Sequence, residues 1–210
     1  MTTSFRIVGG QIVLDKIDLV SDGARTALTG VIESANWPEQ TYQIRSHMDF
    51  ARMRELFFAR DAFTLSGEGD FVGTFHLFKE QVNGRTRTGR ELKGTFSGPD
   101  FAVNEYQFPA LAGSVLWVPE KLEVTKATAG LYGGEAEFSY LMTPLGVKGV
   151  RPNGTFDVKY TGVDLATLTN ALELKGLRLA GSASGRNLLV WPIGQFAGRR
   201  GEGEISVDAP

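Results

Sequence analysis

Apolar and polar residues alternate along most of this chain with a period of two. The longest run sets Phe63, Leu65, Gly67, Gly69, Phe71, Gly73, Phe75 and Leu77 on one side of an extended segment. Thr64, Ser66, Glu68, Asp70, Thr74 and His76 fall on the other. At about 3.3 Å per residue this predicts a single strand of roughly 45 Å, with glycines that let it bend. The pattern returns in Leu92, Gly94 and Phe96, in Ala136, Phe138, Tyr140 and Met142, and in Phe156, Val158 and Tyr160. It returns again in Leu177, Leu179, Gly181, Ala183, Leu189 and Trp191. Asn83-Gly84 and Asn153-Gly154 have the composition of hairpin turns. Ten or eleven strands are expected.

Two stretches depart from the alternation. Between Asp49 and Arg60, Phe50, Met53 and Phe57 stand at i, i+3 and i+7 behind an aspartate that can cap a helix. Between Asp164 and Leu174, Leu165, Leu168 and Leu172 do the same behind Asp164. Each predicts a short amphipathic helix. The two also mark an internal repeat: Asp49-Phe50-Ala51 matches Asp164-Leu165-Ala166, and the Phe63–Leu77 strand matches Leu177 to Trp191 at a spacing of 114. Upstream, Gly10 to Leu14 resembles Gly113 to Trp117, and Thr29-Gly30 echoes Gly133-Gly134. The expected organisation is two β-rich units, residues 8–110 with an intervening hairpin and residues 111–210. Units of sheet stacked edge to edge form an elongated solenoid or trough.

Composition agrees with strands. Glycine occurs 26 times in 210 residues, well above average usage of about 7%, and phenylalanine 14 times. A formal net charge of -2 removes the strongly basic character that nucleic-acid binding requires. The absence of cysteine excludes disulfides, thiolate nucleophiles and zinc-thiolate sites, and two histidines are too few for a multi-histidine metal centre. The longest uncharged stretch, Tyr106 to Pro119, is too short for a spanning helix. The first twenty residues lack a secretory signal, so the protein either stays inside or is a piece of a longer chain.

Catalytic constellations are not found at convincing spacing. Gly67, Gly69 and Gly73 sit inside a strand and do not open a helix, so they read as a bend and not as a dinucleotide loop. Glu68 with Asp70, and His76, read as solvated residues on a polar face. Arg85, Arg87, Arg90 and Lys93 form a basic cluster at a hairpin tip, suited either to anionic head groups or simply to solvent. Asn153-Gly154-Thr155 fits a glycosylation sequon but is explained by a turn. No enzyme, cofactor or metal is expected. What remains is the apolar face, which two short helices are too small to cover.

Three segments, in order, resemble the AsmA/TamB-like superfamily of bacterial envelope proteins. They are Ala127-Thr128-Ala129-Gly130-Leu131-Tyr132-Gly133-Gly134 with the strand from Glu135 to Met142, then Tyr160-Thr161-Gly162-Val163-Asp164-Leu165-Ala166, then Leu177 to Gly185. The resemblance spans about residues 105 to 205, and 8 to 78 more faintly. It implies a mainly β fold: an elongated, repeat-built, curved antiparallel sheet forming a taco-like or solenoidal groove, with two short helices. It implies the periplasm or cell envelope, with phospholipids, neighbouring repeats of a longer chain and outer-membrane assembly proteins as partners. Family members are longer and carry an N-terminal anchor, so a fragment is expected.

The expected function is non-enzymatic: an apolar groove that accommodates phospholipid acyl chains for intermembrane transport or outer-membrane assembly. The lining expected is Phe63, Leu65, Phe71, Phe75, Leu77, Leu92, Phe96, Phe138, Tyr140, Leu177, Leu179, Leu189 and Trp191. The alternative is a structural β-domain with a closed core that mediates protein contacts. An outer-membrane barrel is disfavoured by irregular strand lengths and the two helices.

Overall fold

The computed structural model describes residues 2–59, 63–82, 84–171 and 179–209. The chain is mainly β. Its strands are β1 (Thr2–Val8), β2 (Gln11–Ser21), β3 (Ala24–Glu33), β4 (Gln40–Asp49), β5 (Leu65–Ser66), β6 (Glu68–Val82) and β7 (Arg85–Val103). They continue as β8 (Tyr106–Val118), β9 (Lys121–Leu131), β10 (Gly134–Thr143), β11 (Asn153–Asp164), β12 (Ser182–Pro192) and β13 (Arg200–Asp208). Helix α1 (Phe50–Phe57) follows β4, and α2 (Leu165–Ala171) follows β11.

Among the described residues all thirteen strands belong to one antiparallel sheet, in which each long strand pairs with the next and the two-residue β5 pairs with the far end of β7. The sheet does not close, since β1 and β13 are its outer edges. Tight turns join most neighbours in this meander, several of them supplied by glycines, whereas α1 lies between β4 and β6, the 144–152 loop between β10 and β11, and α2 between β11 and β12. Residue 110, the expected boundary between units, lies inside β8, so residues on either side of it share one sheet.

Ladder register makes the two faces unlike. One row of directly opposed residues runs Phe5, Leu14, Gly30, Tyr42, Phe75, Leu92, Trp117, Leu122, Met142, Gly154, Trp191 across eleven strands. A neighbouring row on the same face runs Ile17, Leu28, Ile44, Gly73, Gly94, Val115, Val124, Tyr140, Phe156, Leu189, Gly201. Residues one place along each strand, such as Thr29, Gln43, Thr74 and Lys93, point the other way. The apolar side of every long strand therefore faces the same direction.

Two local expectations are corrected. The long strand from Phe63 is broken at Gly67, whose φ of +102 turns the chain and whose missing Cβ would lie 1.7 Å from the carbonyl oxygen of Asp100. Asn153-Gly154 is the start of β11 and not a turn; Gly154 is buried because a Cβ there would meet the Trp191 ring at 2.9 Å. Strand count rises to thirteen because the 63–82 run divides and both terminal segments pair.

Candidate functional site

The apolar face is the candidate site, and its cover begins at the caps of the two helices. Asp49 ends β4, and its carboxylate accepts a hydrogen bond from the Ala51 amide at 2.7 Å, starting α1. Asp164 ends β11, and its carboxylate accepts from the Thr167 amide at 2.6 Å, starting α2. Those bonds from Thr167 hold the Asp164 carboxyl below its ordinary range.

Helix α1 turns Phe50 onto the sheet, where it packs with Leu111 and Ala129 and against Met53, Leu65, Phe96, Phe101, Phe108 and Phe138. Its ring meets Phe101 edge-on at 5.1 Å. The chain after α1 carries on across the same face: Phe58 meets Tyr140 at 6.0 Å, and Phe63 meets Phe196 at 5.7 Å. Trp191 lies 5.9 Å from Tyr140 and 5.2 Å from Phe196. Five aromatic rings thus tie the segment after β4 to β10 and to the end of β12. Arg54 fixes the segment further by donating from Nε to the Phe63 carbonyl at 3.0 Å. Helix α2 covers less, packing Leu165 with Val163 and Ala183 and touching Leu131, Tyr160 and Leu168.

Of the expected lining residues, Phe71, Phe75, Leu77, Leu92, Phe96, Phe138, Tyr140, Leu189 and Trp191 lie on this one face. Phe63 and Leu65 belong to the segment laid over it. Leu179 precedes β12 and is exposed, and Leu177 is outside the described residues, as are Leu172 and the side chain of Phe57. Sequence reasoning missed the part of the face built by β2 to β4 and β8 to β9, including Leu14, Leu28, Tyr42, Ile44, Val115 and Trp117. Their alternation was present but shorter, and β-bulges interrupt it between Leu14 and Ile17 and in β9 near Lys126.

Cover is uneven. Ala127, Ala129, Ala136, Met142 and Trp191 are buried, whereas Phe5 is 60% and Ile7 71% exposed at one edge, with Ile205 and Val207 exposed at the other. Among the described residues no second sheet faces this one.

The opposite face is charged. An open hollow of about 510 Å³ there is lined by Lys126, Thr128, Glu137, Asp157, Lys159 and Arg186. Arg186 binds Asp157 through two hydrogen bonds of 2.9 and 2.5 Å, which lowers the Asp157 carboxyl. His47 lies between Asp70, 3.0 Å from Nδ1, and Glu68, 3.2 Å from Nε2, and these bonds, that to Asp70 first, raise its pKa. Among the described residues no three metal-ligating side chains are grouped to hold an ion, and no helix is long and apolar enough to cross a membrane. Comparison of the chain with protein-family models, curated proteins and solved structures returned no match.

Proposed function

We propose that the apolar face is the wall of a groove that accommodates phospholipid acyl chains, in a non-enzymatic segment similar to the AsmA/TamB-like envelope proteins. One observation carries this reading. Two adjacent rows of apolar, tyrosine and glycine positions each cross eleven strands without a charged residue; among the described residues Phe58 and Phe196 lay rings on them, while α1 and α2 pack on neighbouring positions of the same sheet. At about 4.8 Å per strand such a row is roughly 50 Å long, longer than an extended acyl chain. Each methylene buried against it contributes about 0.8 kcal/mol, so retention needs no catalytic group and a chain can slide along a uniform wall.

The repeat supports the same reading. Gly67 and Gly181 have φ of +102 and +96, and their carbonyl oxygens accept from Phe50 and Leu165 at 2.9 and 3.1 Å. Asp49 and Asp164 each accept a hydrogen bond from a first-turn amide of the helix that follows, Ala51 and Thr167 respectively. Gly23 and Gly133 occupy the equivalent turns, in place of the Thr29 and Gly133 match read upstream. Two such units, 8–110 and 111–210, laid in one sheet make a groove that neighbouring repeats extend past β1 and β13, whose apolar side chains are exposed. The proposed location is the periplasm or cell envelope, with outer-membrane assembly proteins as further partners.

Native mass spectrometry after mild extraction tests the proposal. Co-purified phospholipid is the expected result. A lipid-free monomer, with no lipid taken up from added vesicles, overturns it in favour of a structural β-domain that makes protein contacts.

A further inference from the structure

Alternate strand ends gather into two rims of opposite charge. The rim bearing the turns at 9–10, 33–39, 79–90, 119–121, 144–152 and 193–200 holds nine lysines and arginines against four glutamates. The other rim, where both helices start, holds nine acidic residues against three arginines over the described parts of 21–25, 49–68, 99–107, 131–135, 162–182 and 207–209. A molecule of net charge -2 therefore carries a strong internal polarity.

Along the basic rim the cations alternate with exposed apolar side chains. Trp37 is 63% exposed within the turn at 33–39, and Val147 and Val150 are exposed in the 144–152 loop, next to Lys148 and Arg151. Arg85, Lys148, Arg151 and Arg200 have no carboxylate partner among the described residues, whereas Arg87 is neutralised by Glu80 and Glu120 at 2.6 Å each. The β6–β7 hairpin adds reach. Its last paired residues, Val82 and Arg85, lie five pairs beyond Leu77 and Arg90; β4 ends opposite Leu77, and β8 pairs with β7 no further than Leu92. That is about 17 Å of two-stranded ribbon.

We propose that this rim docks on the surface of an anionic phospholipid bilayer. Unpaired cations attract the negative head groups, and an exposed tryptophan with two valines suits the interfacial layer, where an amphipathic ring is preferred. The rim of opposite sign is repelled, so the protein sits with one orientation. Membrane docking does not require the apolar face to hold lipid, so either proposal can fail while the other stands.

Flotation with sucrose-free vesicles tests it, using the full chain. Binding is expected to vesicles of 70% phosphatidylcholine and 30% phosphatidylglycerol, to fall steeply with added salt, and to be absent with phosphatidylcholine alone. The triple variant K148E/R151E/R200E should weaken binding at least tenfold, since each basic residue near such a surface is worth about fivefold. Trp37→Ala should weaken it several-fold, and Glu105→Lys on the far rim should leave it unchanged or raise it. Equal binding to both vesicle types, no binding, or an unaffected triple variant that remains folded by circular dichroism would each overturn the proposal.

Discussion

The middle and the margins of the apolar face are built from the same alternating strands, yet they meet very different surroundings. Around β8 to β12 the face lies under Phe50 of α1 and the aromatic contacts of Phe58 and Phe63, and Ala127, Ala136 and Trp191 are buried. At β1 and β13 the same face presents Phe5, Ile7, Ile205 and Val207 to solvent. Alternation decides which way a side chain points; burial is decided by what the rest of the chain lays over it. A face that is half covered by its own segment and half open is one that could receive another apolar body at its margins.

Substitutions that remove the cover should break this contrast most strongly. Phe50→Ala takes a buried ring from the centre and should cost about 3 to 5 kcal/mol of unfolding free energy, whereas Phe5→Ala at the open edge should stay within about 0.5 kcal/mol; urea denaturation measures both. Gly67→Ala should cost about 1 to 3 kcal/mol, because its backbone is left-handed and the Asp100 carbonyl occupies the place of a Cβ. Hydrogen exchange should also show the segment laid over the face loosened, as faster amide exchange at Leu65 and Ser66. Removing the α1 cap by Asp49→Ala should cost about 1 kcal/mol, read from the thermal midpoint.

The smallest expected effect sharpens the comparison between the two helices. The Asp164 carboxyl is held below its ordinary range in the folded chain, so its contribution is complete above about pH 4 and is lost as pH falls through the lower folded value. The stability difference between the wild type and Asp164→Asn should therefore be present at pH 7 and shrink towards pH 2, followed by urea midpoints across that range. A difference that did not change with pH would remove the charge of the cap from the account.

Local rules made much of the architecture readable. The two helix starts were visible in Asp49 and Asp164, because a cap and an apolar spacing of three and four lie within one turn of chain. The face of each strand was visible because a pleat alternates with no regard to distant neighbours. What depended on distant neighbours was not readable. The break at Gly67 exists because the carbonyl of Asp100 stands there, and the burial of Gly154 because Trp191 does. Asn153-Gly154 had the composition of a turn, yet β11 begins on it, the chain having already reversed in the residues before. For the site, the direction of nine of the lining residues followed from alternation, but the laying of Phe58 and Phe63 over β10 and β12 is a tertiary contact with no local signature.

The central claim is that acyl chains reach the apolar face, and a photo-crosslinking amino acid placed at Phe75 or Leu189 tests it most directly. Both positions lie half-buried in the two apolar rows. Irradiation with total lipid extract should give phospholipid adducts at these sites and none at Gln43 or Thr74 on the polar face. Equal labelling of the two faces, or adducts at neither, would contradict it.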